Sequence, residues 1–265
     1  MRADAFTGAG SGRALLLGFV RRDFANRYAG TFMGGLWALA QPALLLAIYA
    51  FVFRHVFKVR LPDPAYSYVT VVACALWPWM AFQEAVQRAT VSITANADLI
   101  RKIRFPNHLL VLAAVLASFA IHLTGFLAVL AVLALCGEPI HYSGLPVALA
   151  AWGVAFALAF AAALVTAALQ VAIKDVEPAL GPLFMLFFYA TPILYPLALV
   201  PEAMRPWLAF NPLVHVVEPI RAALLGGEPL AALGALWPAA LAAACLFLFA
   251  RWFFARLEDY FQDFL

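Results

Sequence analysis

The sequence predicts an all-α integral membrane protein whose 265 residues form a single transmembrane domain. Composition is the first reason, because 66% of the residues are hydrophobic and only 12% are charged, whereas ordinary soluble domains are about 25% charged. The distribution of charge is the second, since long intervals without any charged residue separate short charged stretches. These intervals lack the alternation of a transmembrane β-barrel. A chain of this kind has too little polar surface to enclose a soluble core.

Six predominantly apolar segments are long enough to cross the membrane as helices. A crossing needs about 20 apolar residues for about 30 Å of hydrocarbon, and an ionised side chain at the bilayer centre costs at least ~2.5 kcal/mol. The predicted spans are 32–54, 67–88, 108–135, 147–172, 179–197 and 230–250. Six spans place both termini on the same side of the membrane.

The distribution of Lys and Arg predicts that this side is the cytoplasm. Twelve of these residues flank the spans on the side of the termini and five lie on the other side, so the positive-inside rule places both termini in the cytoplasm. The five are Arg54, Lys58, Arg60, Arg205 and Arg221, and the first three oppose the predicted orientation.

Residues 1–30 predict a cytoplasmic helix that lies on the membrane surface. Their longest apolar run, Ala14–Val20, has seven residues between arginines and does not form an ordinary cleaved signal peptide. Leu15, Leu16, Phe19 and Phe24 are expected to enter the bilayer.

Between spans 2 and 3 lies NADLIRKIRFP, residues 96–106, which predicts a short, basic cytoplasmic helix. Asn96 or Asp98 can cap its start. Leu99 and Ile103 are four residues apart and are expected to share a face, and Pro106 disfavours helical geometry at the residue before it. We interpret the segment as a docking element for a cytosolic partner, the alternative being ordinary positive charge at a helix end.

The segment before the last span, 191–229, predicts two short re-entrant helices divided near 209–212. It is too polar and too rich in proline for a span, yet too apolar for a free loop, and non-helical backbone at membrane depth must be covered by protein or line a cavity. We interpret it as an extracytoplasmic gate, the alternative being a lid without a gating role. The candidate gate residues are Trp207, Phe210, Asn211, Pro212, His215 and Glu218.

The sequence contains none of the motifs that would supply chemistry of its own. A P-loop needs a lysine followed by Ser or Thr, and none of Lys58, Lys102 and Lys174 is so followed. The five histidines are too dispersed for a zinc hydrolase motif, and the three cysteines are isolated. Glu84 and Arg88 are the nearest candidates for intramembrane ion coupling. We therefore predict a protein that is not an enzyme, binds no metal or cofactor, and receives its energy from outside.

Three motifs make the chain similar to the permease subunits of type-2 ABC exporters for polysaccharides. The first comprises Arg22-Asp23, Arg27-Tyr28, Gly35, Trp37 and Gln41-Pro42. The second is the loop from Leu99 to Pro106, and the third is Asn211-Pro212-Leu213. The charged pair common after the fourth span, Arg-Asp, is here Lys174-Asp175.

The resemblance implies a homodimer in the bacterial inner membrane that associates with two ABC ATPase subunits, which hold ATP and Mg²⁺. It implies export of a glycan linked to undecaprenyl pyrophosphate, with an O-antigen as the first candidate. It implies no role for nucleic acid. The segment 96–106 is then the coupling helix that docks on the ATPase. Its candidate coupling residues are Asp98, Leu99, Ile100, Arg101, Lys102, Ile103 and Arg104.

Two sets of residues are candidates for handling such a substrate. Arginine binds phosphate in a bidentate manner, so Arg13, Arg21, Arg22 and Arg27 are candidates for the pyrophosphate or for anionic membrane lipids. Aromatic rings can stack on sugars, and the candidate channel-lining residues are Tyr28, Phe32, Trp37, Tyr49, Phe184 and Phe188. The alternatives are a capsule or teichoic-acid permease, a permease for a lipid or drug, and a membrane enzyme or flippase without an ATPase.

Overall fold

The computed structural model describes residues 9–27, 30–59, 61, 65–103 and 105–264, with the backbone alone for 9–11, 262 and 263. Regular structure in this part of the chain is entirely helical. The helices are α1 (Ala9–Arg27), α2 (Trp37–Phe51), α3 (Tyr68–Thr90), α4 (Ala97–Lys102), α5 (His108–Leu135), α6 (Leu145–Ala172), α7 (Val176–Tyr189), α8 (Arg205–Ala209), α9 (Val214–Leu224), α10 (Pro229–Gly234), α11 (Trp237–Glu258) and α12 (Phe261–Phe264). A 3₁₀ turn at Gly34–Leu36 precedes α2, and a π turn at Val52–Val56 extends it.

Five helical segments among the described residues are long and apolar enough to cross a membrane. They are Gly34–Val56, Tyr68–Thr90, His108–Leu135, Tyr142–Ala172 and Pro229–Glu258, which overlap five of the six predicted spans. Four of them begin and end within a few residues of the prediction. The last continues beyond residue 250 to Glu258, because a charge such as Arg251 ends an apolar interval without ending a helix.

The predicted transmembrane helix at 179–197 is wrong in its extent. The helix found there, α7, has 14 residues and ends at Tyr189, so it is about 21 Å long at 1.5 Å per residue. Pro192 and Pro196 lack the N–H groups that would continue it, and the chain instead turns through 191–195. Alone, α7 is shorter than the hydrocarbon core.

Helix α3 forms the centre of the bundle. It packs against α5 on one side and α6 on another, and α11 packs on the outside of α6. Trp77 and Trp79 of α3 are buried at 1% and 2% exposure. Gly125 of α5 makes room for the first of them, since a Cβ there would lie 2.7 Å from Trp77 Nε1. By contrast, α2 and α11 keep broad apolar faces exposed, as expected of helices that meet lipid or another subunit.

Candidate functional site

The segment predicted to couple the protein to a partner is helical over Ala97–Lys102. Asp98, Arg101, Lys102 and Ile103 are exposed, Leu99 is half-buried, and Ile100 is buried against the core. The helix ends before Ile103, whose backbone is extended (φ −135°, ψ 143°). Ile103 therefore lies just beyond the helix, where its N–H still donates to the Leu99 carbonyl at 3.0 Å. Arg104 lies outside the described residues.

A cavity of about 680 Å³ lies between α2, α3 and α7 and reaches the end of α1. We call it the central cavity. Its polar wall lies near the start of α2 and the end of α3, and its aromatic wall is formed by residues of α2, the middle of α3 and α7. The polar wall consists of Arg27, Gln41, Gln83, Glu84, Gln87 and Arg88, and the aromatic wall of Tyr49, Trp79, Phe184, Phe188 and Tyr189.

The aromatic wall is a connected set of rings. Phe188 lies 5.9 Å from Tyr49 and 5.8 Å from Trp79 between ring centroids, and Trp79 meets Phe184 edge to face at 6.2 Å. Trp79 Nε1 also donates to Gln83 Oε1 at 3.0 Å, so the indole orients an amide of the polar wall. The wall thus presents rings beside fixed hydrogen-bonding groups, a combination that suits a hydroxyl-rich ligand.

Three of the predicted channel-lining residues, Tyr49, Phe184 and Phe188, meet in this cavity. Phe32 and Trp37 lie before α2 and at its first residue, where both are exposed and neither is among the residues that line the described cavity. Tyr28 lies outside the described residues. The glutamines of the polar wall were missed by the sequence analysis, although Gln83 and Gln87 are spaced i, i+4 and so share a face of α3.

The arginines predicted to bind a pyrophosphate occupy different environments. Arg13, Arg21 and Arg22 are exposed on α1. Arg27, in contrast, has a side chain that is 3% exposed and forms ion pairs with Glu84 at 2.7 Å and Asp23 at 3.5 Å. Its guanidinium is therefore engaged in ion pairs within the protein, although Arg27 is also among the residues that line the central cavity.

A network of charged and polar groups surrounds Arg27 and joins α1 to α3 and α5. Arg27 Nη2 donates to Ser118 Oγ at 2.8 Å, and Arg88 Nη2 lies 2.9 Å from Asp23 Oδ1. Glu84 lies 2.6 Å from His122 Nε2 through its second oxygen. Ser118 lies ten residues into α5, about 15 Å along the helix. The end of α1 is therefore bound to the side of α5, whereas the sequence predicted a helix that lies on the surface.

The segment predicted to form a gate contains two short helices, α8 and α9, separated by residues 210–213. Asn211 is buried at the separation, where Nδ2 donates to Thr191 Oγ1 at 2.8 Å and Oδ1 accepts from the Leu213 N–H at 3.0 Å. Trp207 and Phe210 are 75% and 83% exposed. Pro212, His215 and Glu218 are half-buried, the last two beside a cavity of about 390 Å³.

Comparison with known proteins identifies the family. The ABC-2 type transporter family matches residues 15–225, well over half of the chain. This chain belongs to that family. It is 32% identical over 236 residues to the O-antigen export system permease protein RfbA of Myxococcus xanthus, which covers 84% of this chain and 86% of the relative.

Other relatives of this ABC-2 chain are also named as export or transport proteins for polysaccharides. The RfbA protein of Klebsiella pneumoniae is 29% identical over 216 residues, which cover 80% of this chain and 81% of the relative. The polysialic acid transport protein KpsM of Escherichia coli is 23% identical over 206 residues, or 78% and 79% of the two chains. These alignments cover about four fifths of this chain and of each relative.

Arg221 of α9, which the sequence indicated only as one of five basic residues on the side opposite the termini, holds several segments of this ABC-2 chain together. The side chain is buried, and its guanidinium donates to the carbonyl oxygens of Val71 at 3.0 Å and Ile193 at 2.6 Å. It also donates to the carbonyls of Pro192 and Tyr195 and pairs with Glu218 at 2.9 Å. A lone arginine three residues after a glutamate in an apolar stretch was the available signal.

No group of three or more His, Cys, Asp or Glu side chains within the described residues could hold a metal ion. Cys74 is buried, whereas Cys136 and Cys245 are exposed, and all three are free thiols.

Proposed function

We propose that this chain is the permease subunit of an ATP-driven exporter that moves a polysaccharide across the bacterial inner membrane. The first candidate for this polysaccharide is an O-antigen linked to undecaprenyl pyrophosphate. Two copies form the channel, and each binds one ABC ATPase subunit through α4. The ATPase, not this chain, holds ATP and Mg²⁺. The central cavity is the observation that carries the proposal, and the names of the relatives give the substrate class.

The chemistry of the cavity fits a neutral glycan. Flat rings can stack on the apolar faces of sugars, and the amides of Gln41, Gln83 and Gln87 can bond hydroxyl groups at the polar end. The acidic and basic groups there are paired with one another, as Arg27 is with Glu84. Such a wall binds a neutral chain without a strong electrostatic hold, which allows the chain to slide.

The proposed topology keeps six spans with both termini in the cytoplasm. Helix α7 is too short alone, but residues 191–194 continue from it and are buried in the protein. Their backbone is satisfied in part by Arg221 and Asn211, which donate to carbonyls of residues 190–195. Irregular backbone at membrane depth is tolerated where protein covers it. The fifth crossing is therefore α7 plus this covered extension, and α8 and α9 form the extracytoplasmic gate.

A capsule-type polysaccharide is the second candidate, because KpsM also matches most of the chain. A lipid or drug as substrate would make little use of the amides at the polar end of the cavity.

The test is complementation of a strain that lacks the permease, with surface glycan display and inner-leaflet lipid-linked glycan as readouts. Phe188→Leu, in the cavity, is expected to slow display severalfold and cause lipid-linked glycan to accumulate. Phe249→Leu removes a ring from the exposed face of α11 and serves as the matched control. Equal display by both variants, at equal membrane abundance, would refute the assignment of the cavity as the glycan path.

Coupling through α4 is tested in the complex with the ATPase. Leu99→Asp/Ile103→Asp is expected to abolish co-purification or to separate hydrolysis from display while the permease still inserts. If complex, hydrolysis and display all persist, energy enters the protein elsewhere.

A further inference from the structure

The short helix α4 is held by the rest of the protein mainly through the two connections on either side of it. Within α4, Ile100 is the residue buried in the core. On the side toward α3, Asn96 Oδ1 accepts from Arg22 Nη2 at 2.5 Å. On the side toward α5, the ring of Phe105 lies 5.5 Å from that of Phe19, and the N–H of Asn107 donates to Glu258 Oε1 at 3.1 Å.

Helix α1 therefore contacts both connections. The Arg22 guanidinium lies over the Phe19 ring at 5.4 Å, so the two side chains support each other. Asn96 is fixed as well, because its Nδ2 donates to the Ser92 carbonyl at 2.8 Å and leaves Oδ1 for Arg22. A displacement of α4 cannot move Asn96 without pulling on α1.

The last residue of α11 makes the third contact. Asn107 stands at the N-cap of α5, and its side chain makes no capping hydrogen bond within the described part of the chain. The Glu258 carboxylate, from a distant helix, accepts instead from the N–H of Asn107 itself, and a negative charge at this point also favours the N-terminal end of the helix dipole. The end of α11 is itself anchored, because Phe261 is 1% exposed and packs edge to face on Phe254 at 5.4 Å.

We propose that Arg22 and Glu258 are positioning residues that join α4, α1 and the cytoplasmic end of α11 into one unit. Movement of α4 then reaches α1 and α11 directly, in addition to the spans α3 and α5 on either side of it. This inference rests on the proposed function, because it assigns the route by which ATP-driven movement of α4 is transmitted.

The first experiment measures hydrogen–deuterium exchange in the permease alone, in lipid nanodiscs. Glu258→Ala is expected to raise exchange of the amides of 97–103 and of Asn107 about fivefold, the effect of one lost hydrogen bond. Arg22→Ala is expected to raise exchange of 97–103. Asp259→Ala removes the neighbouring acid and is expected to leave both regions unchanged. Unchanged exchange in the Glu258 and Arg22 variants would overturn the proposal.

The second experiment measures surface glycan display per ATP hydrolysed in the complex. Glu258→Ala is expected to lower this ratio severalfold while co-purification and hydrolysis persist, and Glu258→Gln, which keeps an acceptor oxygen, is expected to recover most of it. A wild-type ratio in Glu258→Ala contradicts the proposed transmission. Failure of wild type to bind an ATPase or display glycan would instead refute the proposed function, and the exchange experiment would still decide whether the unit exists.

Discussion

Replacement of Arg221 by methionine gives the sharpest test of how α9 is held against α3 and the turn after α7. The guanidinium joins the start of α3, the turn after α7 and α9 through Val71, Ile193 and Glu218, and it is 5% exposed. Methionine fills much of the same volume but donates no hydrogen bond, so it leaves buried carbonyl oxygens without this donor.

The expected loss of stability follows from these contacts. A hydrogen bond from a charged group contributes about 1.5–3 kcal/mol, and removal of one partner from a buried pair costs about 3–5 kcal/mol. Because some carbonyls keep bonds within their own turns, we expect Arg221→Met to lower the free energy of unfolding by about 4 kcal/mol. For a domain of this size that corresponds to a drop in Tm of about 10 °C.

The assay is thermal unfolding of the purified protein in detergent, followed by near-ultraviolet circular dichroism. Arg205→Met is the matched control, because Arg205 also donates to two carbonyls, those of Val200 at 3.0 Å and Ala198 at 3.2 Å, but is exposed. We expect it to cost less than about 1 kcal/mol. If the two variants lose equal stability, Arg221 does not stabilise the turn after α7 as argued.

Three further predictions use the same melting assay. Arg27→Met leaves the Glu84 carboxylate, which is 34% exposed, without its cation and should cost about 2 kcal/mol, less than the loss of one partner from a fully buried pair. The double variant with Glu84→Met should recover part of this cost; simple additivity would contradict the pairing. Gly125→Ala should cost about 1–3 kcal/mol by overpacking, since the new Cβ meets Trp77 Nε1 at 2.7 Å, and Trp77→Phe should relieve it. Burial alone would raise the pKa of Glu138, but hydrogen bonds from Thr70 and the Ser67 N–H and the charge of Arg54 lower it below its ordinary value. Its stabilising contribution is therefore present above about pH 4.5 and lost as the pH falls below it, and Glu138→Gln should flatten that decline.

The transmembrane helices could be predicted from the sequence because the cost of burying charge acts on each residue separately. The intervals without charge located five segments closely, and the short helix inside NADLIRKIRFP and the division between α8 and α9 near Ala209 followed from local signals. Where prolines and buried contacts end a helix, as after Tyr189, apolar composition continued past the end and misled the prediction.

The candidate site was predictable only in part, because its polar half depends on contacts between distant residues. Tyr49, Phe184 and Phe188 could be chosen by residue type alone. The burial of Arg27 could not, since its partners Glu84 and Ser118 follow 57 and 91 residues later. The position of Gln41 beside Gln83 and Gln87, and the hydrogen bonds from Arg221 to backbone carbonyls, likewise become visible only when helices far apart in sequence are brought together.

The burial of Arg27 also has a consequence for the order in which the protein is assembled. The end of α1 leaves the ribosome before α3 and α5 exist, and Ser118 follows Arg27 by 91 residues. At a synthesis rate of about 5–20 residues per second, this delay is on the order of 5–20 s. During that time the charge of Arg27 lacks its partners on α3 and α5, so the first helix to be made reaches its final position only after the third and fifth have entered the membrane.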